Sequence, residues 1–288
     1  NIYTMHDLVP LRLPYTTLDS KKFYRSLVDR CAETAAHICT VSEASRRDII
    51  EILGVAPDRV TNCYQASPVP PGLHADPAED AAMVEGIFGL KSKGYFLYFG
   101  AIEPKKNIGR LIEAYLSSEV RTPLVIVGGR GWRSEEELRL LGGAGASTLS
   151  GAARVRKLDY LPRRMLDVLV AGARGVLFPS LYEGFGLPVL EALARGVPVM
   201  TSTAGALPEV AGAAALFVDP YDVVAMAAAI RKLDGDDALR RALAKAGPGE
   251  AARFAPERFR TSLAALYASL APPVRRSVSA AVIGESSL

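Results

Sequence analysis

The feature that most constrains the fold is a regular alternation of short apolar runs with amphipathic helices in the second half of the chain. Continuous apolar runs at 94–100, 123–129 and 175–180 are typical of strands buried on both faces, and a helix-forming segment, such as 107–118, follows each run. Since parallel strands need a crossover between them, this pattern predicts a parallel sheet covered by helices on both sides. The fold class is therefore α/β.

Ligands of open parallel sheets bind in the loops that follow the carboxyl ends of the strands. One such loop, GAIEPKKN, begins at Gly100, which permits a tight exit from the strand and close approach of a ligand. Lys105 and Lys106 stand just before a helix that begins near Asn107. A helix N-terminus with two ammonium groups suits a doubly charged anion such as a diphosphate. By itself, the loop favours the alternative of two solvated lysines.

A second loop, LYEGFGLPVLEALARG, follows the run 175–180 and carries two glutamates, Glu183 and Glu191. The glycines between them remove side chains, so that backbone N–H groups can face a ligand, and Pro188 suits the first turn of a helix. Such N–H groups at one helix N-terminus would form a second positive pole for phosphate. The residues that offer them are Phe185, Gly186, Leu187 and Val189.

The spacing of the two glutamates suits a ligand with a polar group at each end. Glu191 lies about one turn into the helix, where its carboxylate can accept hydrogen bonds from paired ribose hydroxyls. Glu183 lies ahead of the helix and can accept from the hydroxyls of a sugar beyond the phosphates. Together with a diphosphate site, these features indicate a nucleotide sugar. The alternative is a strand–turn–helix whose glutamates are surface residues.

Several segments resemble the retaining glycosyltransferases of the GT-B fold, group-one or family-four type. The most specific is PSLYEGFGLPVLEALARGVPVMTS, and the others are FGAIEPKKNI, LPEVAGAAALFVDP, HDLVPLRLP and ICTVSEASRRDI. The resemblance extends to about residue 270 and implies two Rossmann-like domains that face each other. Because the N-terminal domain of that family normally starts earlier, with a Gly-rich loop, we expect the N-terminal domain of this sequence to be incomplete.

A Pro-rich stretch at 65–80, the loss of periodicity beyond Pro273 and the resemblance together divide the chain into five regions. These are the later part of the N-terminal, acceptor-binding domain, then a linker with the approach to the second domain, and then the nucleotide-sugar-binding domain. A helix that packs back toward the first domain and a disordered tail complete the chain. The expected bounds are 1–66, 67–93, 94–250, 251–271 and 272–288.

The resemblance implies roles for the matching positions. Glu183 would contact donor-sugar hydroxyls, Lys106 would neutralise the departing diphosphate, and His6 would face the sugar across the cleft. These three are the catalytic candidates, although a lone histidine also suits a structural role. Many relatives carry Arg where this sequence has Ala101, so that the lysine pair alone would supply positive charge. The donor-binding candidates are Gly100, Lys105, Phe185, Gly186, Leu187 and Glu191.

The resulting hypothesis is a hexosyltransferase that moves a hexose from a nucleotide sugar to a saccharide or lipid-linked acceptor in polysaccharide or lipopolysaccharide synthesis. Similarity to relatives with HDLVPL and Glu-Pro-Lys/Arg-Lys-Asn segments suggests mannose from GDP-mannose. The family implies retention of configuration without a metal or cofactor, since lysines and helix N-termini stabilise leaving-group charge. Two alternatives stay open: a truncated, non-catalytic nucleotide-sugar-binding or partner subunit, and a nucleotide-sugar epimerase.

Composition restricts the partners and the location. A net charge of +3 is too small to indicate nucleic-acid binding, and three cysteines without metal-ligand spacing are typical of a reduced, cytoplasmic chain. No apolar run approaches the roughly 20 residues that span a bilayer. One helix, about 18–34, is basic, and its charge suits either a solvated face or a peripheral contact with an anionic inner membrane surface. Its basic residues are Lys21, Lys22, Arg25 and Arg30.

Two local signals predict helix ends. Ser45 with Asp48 three residues later suits a capping box for a helix that ends at Gly54. The DGD segment at 234–236 is similar to the Asp-x-Asp of metal-dependent glycosyltransferases. Because it falls between two helices, we interpret it as the end of one helix and the N-cap of the next, with Asp236 or its neighbour as the cap.

Overall fold

The structure of the protein, a computed structural model, describes residues 1–16, 21–69, 76–141 and 154–271. Two parallel β-sheets with helices packed around them form its framework. The described strands are β1 (Ile2–Thr4), β2 (His37–Thr40), β3 (Val60–Asn62), β4 (Phe96–Phe99), β5 (Leu124–Val127), β6 (Val155–Leu158), β7 (Gly175–Phe178), β8 (Val199–Ser202) and β9 (Ala215–Val218). The described helices are α1 (Val9–Arg12), α2 (Lys21–Thr34), α3 (Glu43–Leu53), α4 (Pro77–Phe88), α5 (Ile108–Ser118), α6 (Ser134–Glu137), α7 (Arg163–Gly172), α8 (Leu187–Ala194), α9 (Leu207–Ala211), α10 (Val223–Gly235), α11 (Asp237–Ala251) and α12 (Pro256–Leu270).

The larger sheet has six strands in the order β6-β5-β4-β7-β8-β9, and every neighbouring pair is parallel. Every residue of its four central strands is buried, which is the burial that continuous apolar runs predict. The edge strands β6 and β9 are only partly buried. The expectation of an α/β fold built on a covered parallel sheet is thereby confirmed.

The strand order of this sheet reverses between β4 and β7. From β4 the chain adds β5 and β6 on one side, and it then returns to place β7, β8 and β9 on the other. A reversal of this kind opens a crevice at the carboxyl ends of the two strands, where ligands of such sheets bind. The loop after β4, residues 100–107, and the loop after β7, residues 179–186, leave the sheet side by side at this crevice.

A smaller parallel sheet, in the order β1-β2-β3, and helices α1 to α3 form the N-terminal unit, whereas β4 to β9 with α4 to α11 form the C-terminal unit. Helix α12 returns to the N-terminal unit, because its Leu263 and Leu266 share one apolar cluster with Cys39 and Cys63. The expected domain bounds stay a prediction. The expected disordered tail, 272–288, lies outside the described residues.

Helix α3 begins earlier than the sequence signal suggests. Its N-cap is Ser42, whose Oγ accepts a hydrogen bond from the N–H of Ser45 at 2.9 Å. The expected capping box of Ser45 with Asp48 is therefore wrong, because Ser45 already lies in the first turn and Asp48 accepts a hydrogen bond from Tyr182 of the other unit. Gly54 follows the helix in the left-handed conformation, with φ of 65°, as predicted.

The capping interpretation of the DGD segment is confirmed. Helix α10 ends at Gly235, and Oδ1 of Asp236 accepts a hydrogen bond from the N–H of Leu239 at 2.8 Å to cap α11.

The basic helix is described from Lys21, so that its expected start near residue 18 lies outside the described part of the chain. Arg25 forms an ion pair with Asp29 one turn along the helix, and contact of this surface with a membrane stays a prediction. Within the described ranges, no helix combines the length and the apolar character needed to cross a bilayer.

Candidate functional site

The loops after β4 and β7 form one surface through three contacts. Nζ of Lys106 lies 2.7 Å from Oε1 of Glu183. The N–H of Leu181 donates to the carbonyl of Lys105 at 2.8 Å, and Nδ2 of Asn107 donates to the carbonyl of Pro179 at 2.9 Å. The structure therefore brings together the two loops in which the sequence predicts anion-binding groups.

The Lys106–Glu183 pair is shielded from water. The side chains are 14% and 10% exposed, and Nζ of Lys106 lies 5.3 Å from the centre of the Phe178 ring. Because water screens charges weakly in such a place, an arriving anion would interact strongly with the ammonium group. A ligand that accepts from Lys106 and donates to Glu183 would satisfy both charged groups.

Lys105 adds a second positive charge beside this pair. Its Nζ lies 3.5 Å from Oε1 of Glu103. Burial lowers the pKa of Lys105, but nearby carboxylates, with Glu183 the foremost, raise it overall above the usual lysine value. The side chain is thus an ammonium group at neutral pH. Gly100, at the start of this loop, has φ of 141°, a conformation that favours glycine.

Helix α8 begins at Leu187, directly after Gly186, whose φ is 105°. The N–H of Val189 donates to the carbonyl of Gly186 at 3.0 Å, so the expectation that this amide faces a ligand is wrong. Val189 instead makes the first bond of the helix. Within the described residues, no hydrogen bond uses the amides of Phe185, Gly186 or Leu187. These three donors are available to an anion.

Glu191 lies in a cluster of charges rather than alone. It is only 6% exposed, and its Oε2 is 2.9 Å from Nη2 of Arg163 at the start of α7. Arg195, one turn further along α8, lies close to Glu191 and also pairs with Asp167 of α7. Burial raises the pKa of Glu191, although Arg163 and Arg195 lower it in part. The arginines therefore hold the carboxylate in one orientation, from which it could accept ribose hydroxyls.

His6 is exposed, in the segment that follows β1. This segment lies against the Glu183 loop, since a Cβ added to Gly184 would be 2.5 Å from Cβ of Asp7 and 3.1 Å from the carbonyl oxygen of His6. Among the described contacts, none joins the imidazole of His6 to Glu183 or Lys106. The backbone of His6 is thus at the site, and a role for its side chain stays a prediction.

Sequence reasoning missed the residues that hold these candidates in place. The sequence could have predicted the contact of Arg195 with Glu191, because residues four positions apart on a helix are neighbours. The sequence gives no such indication for Arg163 and Gly205, because only the tertiary fold brings them to the site. They contact Glu191 and the backbone of Glu183, respectively.

Replacing Gly205 with alanine is expected to destabilise the protein and displace Glu183. Gly205 has φ of 59°, and an added Cβ would collide with the backbone carbonyl and amide of Glu183. Overpacking of this kind costs about 1–3 kcal/mol, which thermal unfolding would measure. The matched control is Gly86→Ala in α4, where a Cβ meets nothing within 4 Å. That variant should be neutral or more stable, and an equally stable Gly205→Ala would contradict the close packing.

Comparison with known sequences identifies relatives over most of the chain. A sequence model of the family described as Glycosyl transferases group 1 matches residues 85–249. O-antigen chain mannosyltransferase B of Escherichia coli is 35% identical over 271 residues, which cover 92% of this chain and 69% of that protein. Serotype-specific mannosyltransferase WbdA of Escherichia coli is 30% identical over 253 residues, which cover 86% of this chain and 31% of that protein.

The fold has relatives among solved structures as well. Anabaena HepE in complex with UDP and glucose matches with a TM-score of 0.78 at 20% identity, over 93% of this chain and 71% of that one. WaaG, a glycosyltransferase involved in lipopolysaccharide biosynthesis, matches with a TM-score of 0.72 at 19% identity, over 94% of this chain and 75% of that one. The fold is therefore GT-B. Together, the matched sequence model and the identity to O-antigen chain mannosyltransferase B show that this chain belongs to the group 1 glycosyl transferases.

Proposed function

We propose that the loops after β4 and β7 bind the diphosphate of a nucleotide sugar, and that the protein transfers the hexose to a saccharide or lipid-linked acceptor in polysaccharide synthesis. The observation that carries the proposal is the 2.7 Å pair between Lys106 and Glu183, which joins the two loops at the switch point of the sheet. Lys105 and the amides of Phe185 and Gly186, which have no acceptor in the described part of the chain, add donors around the same place.

The proposed donor is GDP-mannose. Support comes from the names of the relatives, since O-antigen chain mannosyltransferase B and WbdA are both mannosyltransferases. HepE, whose fold is similar, was solved with UDP and glucose. The two nucleotides differ only in the base, which would lie beyond Glu191, so a direct comparison of GDP and UDP sugars distinguishes them.

The proposed reaction needs the protein to stabilise charge rather than to form a covalent bond. As the bond from the anomeric carbon to the diphosphate breaks, negative charge grows on the phosphate oxygen, and Lys106, Lys105 and the α8 amides would stabilise it without a metal. The acceptor hydroxyl would attack from the face that the diphosphate leaves, and its proton would pass to the departing phosphate. This course retains the anomeric configuration. Glu183 would hold the sugar hydroxyls during the step.

A thermal-shift panel of GDP and UDP sugars tests the proposal. A ligand that binds only the folded protein and is present at 100 times its Kd adds about 2.7 kcal/mol of stability, or about 5 °C in Tm. We expect GDP-mannose to give the largest rise and the other sugars of the panel smaller ones. A folded protein whose Tm is unchanged by every nucleotide sugar at millimolar concentration would contradict a nucleotide-sugar site.

A further inference from the structure

The loop that carries Glu183 is held by both units of the protein. The carbonyl of Glu183 accepts a hydrogen bond from the N–H of Ala206, in the C-terminal unit, at 3.0 Å. The next carbonyl, that of Gly184, accepts from Oγ of Ser42 at 2.6 Å and from Oγ of Ser45 at 3.1 Å, both in the N-terminal unit. Two consecutive peptide groups are thus fixed from opposite sides of the cleft.

Helix α3 presents a polar face to this loop. Ser42, Ser45 and Asp48 follow one another at intervals of three residues, so they lie on one side of the helix, and all three are buried. Asp48 accepts a hydrogen bond from the hydroxyl of Tyr182 at 2.7 Å and lies 3.2 Å from Nε of Arg12. Buried polar groups need hydrogen-bond partners, and here all three side chains find one in the loop after β7, with Arg12 as a further partner of Asp48.

The geometry of the peptide group gives this contact a consequence for the site. The bond between Gly184 and Phe185 is trans, and in a planar trans peptide the C=O and the following N–H point in opposite directions. Since the serines bind the Gly184 carbonyl, the N–H of Phe185 points away from α3. Within the described residues, that N–H has no acceptor.

We propose that Ser42 and Ser45 are positioning residues that direct the Phe185 amide at the distal phosphate of the nucleotide diphosphate. Their hydroxyls also polarise the peptide group, which strengthens its N–H as a donor. The N-terminal unit thereby takes part in donor binding without touching the donor. This inference rests on the proposed function, because it names the anion that the amide meets.

The test compares GDP with GMP, because only GDP carries the distal phosphate. Ser45→Ala removes one donor from the Gly184 carbonyl and leaves the N-cap intact, since Ser45 uses its backbone N–H for the cap. The Ser42→Ala/Ser45→Ala double variant removes both donors. We expect the Kd of GDP, measured by calorimetry, to rise about threefold in the single variant and about tenfold or more in the double variant. The Kd of GMP should change less than twofold.

Glu209→Ala is the matched control. Its carboxylate accepts from the N–H of Glu43 at 2.9 Å, at the same end of α3 and across the same interface, but it does not contact Gly184. This variant should lower Tm and leave the ratio of the GDP and GMP affinities unchanged.

The outcomes separate the two proposals. Wild-type protein that binds neither GDP nor GMP would overturn the proposed GDP-sugar donor and this inference with it. Wild-type protein that binds GDP, with serine variants that bind it equally well or lose GDP and GMP affinity alike, would overturn only the inference. If the double variant fails to fold, Ser45→Ala alone decides the question.

Discussion

Replacing Lys106 with alanine is expected to slow sugar transfer by about 10²–10³-fold, because removal of one preorganised donor to a developing negative charge has an effect of this size. In the proposed reaction the ammonium group lies where the leaving diphosphate gains charge, so the loss should fall mainly on kcat and only weakly on KM for the donor. The variant also leaves Glu183 without its partner in a shielded place, which should lower the stability by about 1–3 kcal/mol. Steady-state kinetics and thermal unfolding measure the two effects separately.

Two variants control this result. Lys106→Arg keeps the charge and should retain more activity than the alanine variant, although the bulkier guanidinium will not reproduce the 2.7 Å contact. Lys245→Ala removes an exposed lysine from α11 and should behave as wild type. A Lys106→Ala enzyme with a normal kcat would show that the diphosphate leaves elsewhere.

Replacing Glu191 with alanine is expected to weaken nucleotide binding by about 10–100-fold and to destabilise the fold by about 1–3 kcal/mol. The first effect follows from the loss of the proposed hydrogen bonds between the Glu191 carboxylate and the ribose hydroxyls. The second follows because the Arg195 side chain, which is 1% exposed, loses one of its carboxylate partners and keeps Asp167. Calorimetry with GDP and thermal unfolding measure the two effects.

A GDP analogue that lacks the ribose hydroxyls tests whether Glu191 contacts the ribose. In wild-type protein, the 2′,3′-dideoxy analogue of GDP should bind about as weakly as GDP binds to Glu191→Ala. In the variant, GDP and the analogue should bind alike, because the carboxylate that distinguishes them is gone. Glu257→Gln breaks an ion pair with Arg260 that is 71% exposed on both sides, and it should change neither quantity. If Glu191→Ala still binds GDP more tightly than the analogue, the ribose does not contact Glu191.

Much of the C-terminal unit follows from local pattern. The runs that became β4, β5 and β7 are continuously apolar, and strands of this kind can be buried only between two layers of helices. No local sequence signal predicts the reversal of strand order, because the reversal depends on the side of β4 on which the chain places β7. The position of both loops at strand ends and their anion-binding groups predict that they bind one ligand, and the resemblance implies the same.

The contacts that hold the candidate site could not be predicted from the sequence. Oγ of Ser42 reaches the Gly184 carbonyl across 142 positions of the chain, and Arg163 reaches Glu191 across 28. The incorrect capping box had a definite cause, since the helix begins at Glu43 and places Ser45 inside its first turn. The prediction that the Val189 amide faces a ligand is wrong for a similar reason, because this amide closes the first turn of α8. Short-range rules identify which groups are polar, and the fold decides which of them are used.

A crystal structure of the protein with GDP bound would show whether the two loops share one diphosphate. We expect the distal phosphate within hydrogen-bonding distance of both the Lys106 ammonium and the N–H of Phe185 or Gly186, with the ribose beside Glu191. Contacts to both loops in the same complex would establish that they form a single diphosphate site. A diphosphate bound by only one of the loops, or at another edge of the sheet, would contradict it.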